Sequence, residues 1–482
     1  MSRIETGDRN VLTALDQRVP TSFYWLLTLL ATVGGFLFGY DTANIGSALP
    51  FVPYPLSGFA LGYLVAGASL GAAAGAIVAG PLADRFGRKS LLVIDALIYA
   101  VGAILSAVTP NSFVLLAART LIGLAIGADS AIATAYIAEY APRGRRGALA
   151  MLQQWMITVG ILAAFIVALI ILWVLPHSSG TLDWRLILGL GAVPALIGLA
   201  LRTRMPESPR WLLRHGRYEE TQRALGRLGT EVSLADVEFT ARQLEDADRR
   251  GEQTRRRNWT VGVKRALIVV CVFFIFQQIT GINVPLYYGP KLLGPLFQSG
   301  SSKVASTLAG IEVTAIIAAV NVAATYFAFR WIDRIGRRKL AIGGYAGMAV
   351  AAAVSAPALM LLTGLPRIIV VMIALNAFIA SFAIGVGGTG WLIQGEVFPT
   401  GVRGQAAAIG ATADWLANFA LIEVFPTWQT GIGLGWIMIC FAVLCLVAIG
   451  FVHRFLPETK DRSVEEITEI FERQAEVGAK AA

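Results

Sequence analysis

The sequence predicts an all-α membrane protein with twelve transmembrane helices in two six-helix, pseudo-symmetric bundles. Three observations predict it. The 482 residues are 56% hydrophobic and only 15% charged, with a mean hydropathy of +0.65. Twelve apolar segments approach or exceed the roughly 20 residues a helix needs to cross a bilayer. Short polar motifs recur on either side of one long charged stretch between Arg202 and Arg265.

The segments run approximately over 23–46, 57–82, 90–108, 112–139, 148–175 and 184–202, then 262–290, 305–329, 339–362, 367–396, 403–426 and 431–453. Helices are expected because lipid offers backbone groups no hydrogen-bond partners, and these runs are too long and continuously apolar for barrel strands. The chain divides into an N-terminal segment 1–22, a bundle 23–202, a linker 203–261 with short helices, a second bundle 262–456 and a tail 457–482.

The net charge of +9 and pI near 9.6 would suggest nucleic acid in a soluble protein. Here the cations fall in every second loop: Arg85, Arg88 and Lys89; Arg143, Arg145 and Arg146; the linker; Arg334, Arg337, Arg338 and Lys339; Arg403; then Arg454, Lys460 and Arg462. The intervening loops carry only Lys291, Lys303 and Arg367 as clear cations. That alternation is the positive-inside pattern, which places both termini in the cytoplasm of a cell with the protein in its plasma membrane. No nucleic-acid partner is needed to explain the charge. Residues 1–22 mix acids with arginines and show no cleavable signal. Cys271, Cys440 and Cys445 all lie in apolar segments, so neither a disulfide framework nor a metal site is expected.

Segment 2 carries Gly58, Gly62, Gly67, Gly71 and Gly75, a stripe that lets a neighbouring helix approach closely. After it comes Asp84-Arg85-Phe86-Gly87-Arg88-Lys89, echoed by Asp333-Arg334-Ile335-Gly336-Arg337-Arg338, and from Asp84 to Asp333 is 249 positions. Glu139 followed by Arg146 is echoed by Glu396 followed by Arg403, and from Glu139 to Glu396 is 257. Pro206-Glu207-Ser208 is echoed by Pro457-Glu458-Thr459, at 251. Three motifs at about one spacing indicate two halves related by duplication. As a duplicated set on one face they read as ion-pair latches that hold the halves together and break as the halves rock.

These motifs resemble the sugar porter family of the major facilitator superfamily. The resemblance rests on Gly34 to Thr42, the Asp84 loop, Arg119, Tyr136 to Glu139, Arg146-Gly147, Pro206 to Trp211, Gln277 to Asn283, the Asp333 loop, Gly395 to Pro399, Arg403-Gly404 and Pro457 to Thr459. It covers nearly the whole chain and implies alternating access between two bundles, with a substrate site at the centre.

Ionisable groups inside a membrane segment are costly unless paired or hydrated, so each is a candidate site. Asp41 lies on segment 1 and Arg119 on segment 4. The resemblance implies that they form the carboxylate–guanidinium pair whose carboxylate carries the proton. Arginine does not lose its own proton, so its approach or withdrawal controls the acid. Gln277, Gln278 and Asn283 occupy one helix face only if segment 7 is broken, which Gly281 permits. Their amides donate and accept, as a hydroxyl-rich substrate requires, and the family uses these positions for sugar contacts. Gln154 and Trp391 match further substrate contacts of xylose/proton symporters, and Trp415 is a weaker candidate of the same kind. Two positions depart from that pattern: Ile161 replaces a glutamine, and Asp414 stands where a glutamine precedes the segment 11 tryptophan. Asp95, Asp129, Glu312 and Glu423 are further acids in apolar runs, without assigned roles.

Gly385-Val-Gly387-Gly388-Thr-Gly390 fits GxGxxG, but an all-helical context lacks the strand and βαβ unit of a nucleotide cradle. The glycines instead loosen segment 10 beside Trp391. No Walker loop is present, and His177, His215 and His453 are scattered without a nucleophile partner, so an enzyme is not expected. The expectation is a proton-coupled carrier of a sugar or similar polar metabolite that acts as a monomer, without a cofactor or metal. An uncoupled facilitator and a carrier of a charged metabolite are the nearest competitors, with a nutrient sensor further off.

Overall fold

The computed structural model describes residues 10–12, 22–140, 146–175, 179–255, 259–297, 302–462 and 464–480. The regular structure of these residues is helical, with no strand among them. Twelve helical stretches are long and apolar enough to cross a membrane. Spans 1 to 6 are Trp25–Phe51, Phe59–Phe86, Arg88–Val108, Ser112–Ile137, Met151–Val174 and Gly180–Arg202. Spans 7 to 12 are Val261–Leu296, Lys303–Ile335, Arg337–Leu361, Gly364–Val397, Val402–Ile432 and Leu434–Phe455.

Within lipid there is no hydrophobic force to bring helices together, so close backbone approach has to supply the packing. Spans 2 and 4 show how. A Cβ at Gly71 would lie 2.1 Å from the Thr120 carbonyl oxygen, and one at Gly75 2.2 Å from that of Leu124. From the other side, Gly123 faces the Ala68 carbonyl at 1.9 Å and Gly127 that of Ala72 at 2.0 Å. Four glycines therefore interlock two backbones. Of the remaining stripe, Gly62 meets Glu423 of span 11, Gly67 meets only Tyr63 of its own helix, and Gly58, outside the helix at φ +53°, meets nothing. Spans 1 and 5 use the same device, with Gly39 against the Ile157 carbonyl and Gly160 against that of Phe36.

Between the halves, span 2 packs along span 11 and span 5 along span 8. Span 1 meets the second half of span 7, where Gly46 sits beneath the Tyr287 carbonyl. Span 7 breaks between Val261–Ile279 and Val284–Phe297, at Gly281 with φ +93°. Span 10 breaks between Gly364–Gly385 and Thr389–Val397, within its glycine run. Both breaks expose backbone carbonyls inside the protein, where irregular backbone at membrane depth is tolerated.

The stretch joining the halves forms helices Pro209–Arg214, Tyr218–Arg227 and Leu234–Arg255. A further helix, Val464–Lys480, packs on the start of span 7 and buries Ile467 and Phe471. Arg202, which opens the charged stretch in the sequence, is a core residue: it is fully buried at the end of span 6.

Gly127→Val is expected to lower the thermal midpoint in detergent through overpacking worth about 1–3 kcal/mol. Gly80→Ala, where nothing lies within 4 Å, serves as the control and leaves the midpoint unchanged or higher in a scanning-fluorimetry series.

Candidate functional site

The duplicated motifs build two matching corners. At the first, Gly87 (φ +96°) turns the chain from span 2 into span 3, and Glu207 sets its carboxylate where a Gly87 side chain would stand. That carboxylate accepts from the backbone N–H of Arg88 at 2.9 Å and of Lys89 at 3.1 Å. At the second, Gly336 (φ +99°) turns span 8 into span 9, and Glu458 accepts from the N–H of Arg337 at 2.8 Å and of Arg338 at 3.2 Å. Each glutamate thus satisfies orphan donors at a helix N-terminus and meets the positive end of its dipole.

The arginines complete the corners. Arg88 reaches Asp84 at 2.8 Å and Glu139 at 3.2 Å, and donates to the Ala83 carbonyl. Arg337 reaches Asp333 at 3.0 Å and Glu396 at 2.7 Å, and donates to the Ile332 carbonyl. These pairs close within one half, tying spans 2, 3 and 4 or spans 8, 9 and 10. In this conformation the ion pairs of Arg88 and Arg337 brace each bundle from within. The reason is geometric: the aspartate four positions before each arginine and the glutamate at the end of the following span are already within reach of its guanidinium. Of the other motif cations, Arg403 donates to the Phe398 carbonyl, Arg85 lies over the Phe86 ring, and Arg334 offers its carbonyl to Lys460. The side chain of Arg146 lies outside the described residues.

Asp41 and Arg119 meet as a hydrogen-bonded ion pair between spans 1 and 4, both essentially inaccessible. Arg119 also donates to the Leu64 carbonyl. Tyr287 of span 7 lies against Thr42 and Ser69 and within electrostatic reach of the pair. The pair is therefore next to the place where the halves touch.

From there a chain of hydrogen bonds runs through the protein. Asn418 donates to Ser69 at 2.9 Å, Asn283 donates to Asn418 at 3.1 Å and to Gln278 at 2.8 Å, and Gln278 donates to Asp414 at 2.7 Å. The break in span 7 makes this possible, because Asn283 folds back onto Gln278. Gln277 turns the other way and donates to the Gly387 carbonyl in the break of span 10. Its own carbonyl oxygen is buried without a hydrogen-bond partner among the described residues. Gln154, from the N-terminal half, reaches the same break beside Gly387.

Aromatic rings close the site. Trp391 lies 5.0 Å from Phe274 between ring centroids, and Trp415 packs edge-on to Phe38 at 4.8 Å. The Trp415 indole N–H has no partner among the described residues. Gln154, Gln277, Gln278, Asn283, Trp391, Asp414 and Trp415 therefore stand around the broken parts of spans 7 and 10, while Asp41 and Arg119 form a separate buried pair. The sequence reading missed Asn418, Ser69 and Tyr287. Asn418 follows Asp414 by four positions on one helix and so shares its face; nothing local marks Ser69 or Tyr287. Among the described residues no group of three or more His, Cys, Asp or Glu side chains is placed to hold a metal.

Two broken helices with unpaired polar atoms between two pseudo-symmetric bundles define a membrane carrier of the major facilitator fold. The model of the "Sugar (and other) transporter" family matches residues 27–471, and the chain belongs to that family. It is 34% identical over 462 residues to a glucose transporter, GlcP, of Staphylococcus epidermidis, covering 95% of this chain and 98% of that one. It is 32% identical over 484 residues to an arabinose-proton symporter of Bacillus subtilis, covering 96% and 99%. Among solved structures it superposes on the proton:xylose symporter XylE bound to 6-bromo-6-deoxy-D-glucose, with TM-score 0.76 and 29% identity over 94% of this chain and 100% of that one. A partially occluded inward open conformation of XylE from E. coli gives TM-score 0.78 at 28% identity, covering 92% and 100%. The protein is thus a twelve-span transporter and not an enzyme.

Gln278→Leu strips from Asp414 its donor, leaving a buried carboxyl oxygen unpaired at about 1–3 kcal/mol, and reduces Asn283 to its bond with Asn418. The expected outcome is a rise of about tenfold or more in the dissociation constant of whichever sugar binds, read by isothermal titration on purified protein.

Proposed function

We propose that this chain is a proton-coupled symporter that imports a sugar or a similar polyol across the plasma membrane by alternating access. The observation that carries the reading is the buried Asp41–Arg119 pair, set where the halves meet and close to the hydrogen-bond chain that runs from Ser69 through Asn418 to the amides of span 7. A carboxylate sealed against a guanidinium is stable as an ion pair, and becomes a proton acceptor when the helices separate and the guanidinium withdraws. Because Tyr287 belongs to the opposite half, movement of span 7 alters the surroundings of Asp41. Named relatives that couple sugar to protons support the assignment.

Substrate hydroxyls would be met by Gln154, Gln277, Gln278 and Asn283, with Trp391 against a ring face and the Trp415 N–H as a further donor. Asp414 sets selectivity: as a carboxylate bound to Gln278 it accepts hydrogen bonds but offers none. The cytoplasmic side is the one bearing the braced corners and the linker helices, with both termini there, and the functional unit is a monomer. Asp414 also supports a second reading, in which an amino-bearing metabolite takes the place of the sugar, since a carboxylate in the site rewards a cation.

Uptake into proteoliposomes tests both. The radiolabelled panel holds pentoses, hexoses, inositol and a few organic cations and acids. The expected outcome is accumulation of one sugar against its gradient only when an inward proton gradient is imposed. Asp41→Asn abolishes accumulation while retaining counterflow exchange. Transport that is indifferent to pH and to Asp41→Asn would mark a facilitator, and movement of an organic cation alone would favour the second reading.

A further inference from the structure

The N-terminal half holds a second buried ionic cluster, remote from the amides of span 7. Arg202, at the end of span 6, is fully buried. Its guanidinium donates to Asp95 of span 3 at 2.9 Å and pairs with Asp129 of span 4 at 2.6 Å. The remaining donors go to carbonyls, those of Leu30 and Ala31 on the first helix and of Leu92 on span 3. Both aspartates are 4% exposed. Two carboxylates thus share one guanidinium whose other contacts are all acceptors.

No other charge faces the cluster among the described residues. Span 1 presents Gly34 and Leu37, span 3 adds Tyr99, span 4 adds Ala125 and Ile126, and span 6 brings only Arg202. Tyr99 spends its hydroxyl proton on the Leu37 carbonyl at 3.1 Å. Arg119 is ten positions from Asp129 on span 4 and is engaged with Asp41. As ionised groups the three would leave one uncompensated negative charge in the membrane interior, which is costly enough to be relieved by protonation.

The geometry also shows where the proton would sit. Among the described residues Oδ2 of Asp95 and both carboxyl oxygens of Asp129 have no hydrogen-bond partner, although Asp129 Oδ1 is ion-paired with Arg202. Both acids border a cavity of about 10 Å³, which is about the room one water needs. Asp129 lies so close over Gly34 that a Cβ there would come within 1.4 Å of its Oδ2. Gly34 is seven positions, about two helical turns, from Asp41 on the unbroken helix Val33–Ala48. Both acid sites therefore bear on the same helix.

We propose that Asp95 and Asp129, bridged by Arg202, form a proton-binding site of the N-terminal half that is separate from Asp41. One proton is held between the two carboxyl groups, and the bound state is electrically neutral. A proton taken up or released there changes the attraction between spans 3, 4 and 6 at the point where span 1 rests on Asp129.

The test needs no substrate and so stands apart from the transport assignment. Infrared difference spectra of the purified protein, titrated from neutral to alkaline pH, report the carbonyl stretch of protonated carboxyl groups. A component of that band is expected to be present in wild type and in Asp41→Asn, and lost in both Asp95→Asn and Asp129→Asn. Thermal midpoints give an independent reading. The folded cluster keeps a proton that the unfolded chain releases, so the wild-type midpoint should fall as pH rises through the cluster's titration. Either asparagine variant leaves one carboxylate with one guanidinium and removes that decline. If one variant does not fold, the other carries the same comparison. An unchanged band together with an unchanged alkaline decline in the variant that folds would overturn the proposal and leave a structural ion triad with both acids ionised.

Discussion

Close contact between backbones is the constraint on which the rest of the structure depends. Lipid is as apolar as leucine, so burying apolar side chains does not hold one helix to another. What holds spans 2 and 4 is the interlock of Gly71, Gly75, Gly123 and Gly127 with facing carbonyls, and Gly39 and Gly160 do the same for spans 1 and 5. At such separations the rotation of each helix about its axis is fixed. The direction in which Asp41, Arg119 and Asp129 point is a consequence of that rotation.

The two corners show how duplication serves both assembly and motion. Each glutamate of the Pro206 and Pro457 motifs caps the helix entered at a left-handed glycine, and each arginine at that helix start ties back to two acids of its own half. A bundle braced in this way moves as one body. Motion is then left to the contacts between bundles, which are the span 2 with span 11 and span 5 with span 8 pairs, and to the broken spans 7 and 10. Those breaks also free the carbonyls and amides on which recognition depends, so the flexible elements and the recognition elements are the same residues.

Much of the site was legible in the chain before folding. The spacing of Gln277, Gln278 and Asn283 around Gly281 implied a broken helix, and the glycines before Trp391 implied a loosened one; both breaks are present. The pairing of Asp41 with Arg119 followed from family resemblance alone, since residues 78 apart in sequence carry no local sign of contact. The latch reading took the motif charges as holding the halves together, whereas the partners of Arg88 and Arg337 here lie within their own half. Sequence shows that charges cluster at helix ends but not which neighbouring helix presents the opposite charge. Arg202 was the least legible residue. At the edge of a polar stretch it resembles any solvated arginine, yet the turn of span 6 carries it beneath spans 1, 3 and 4.

The sequence by itself determined the twelve spans, the duplication and the identity of the polar groups within the membrane, because these depend on local composition and on spacing along one chain. The tertiary structure alone decided which acid meets which cation, and that Asp414 is joined by a continuous run of hydrogen bonds to Ser69 and the neighbourhood of Asp41. The reason is that a side chain's partners are set by the rotation and crossing of whole helices. Those are fixed by glycine contacts between segments far apart in the sequence, and no single segment encodes them.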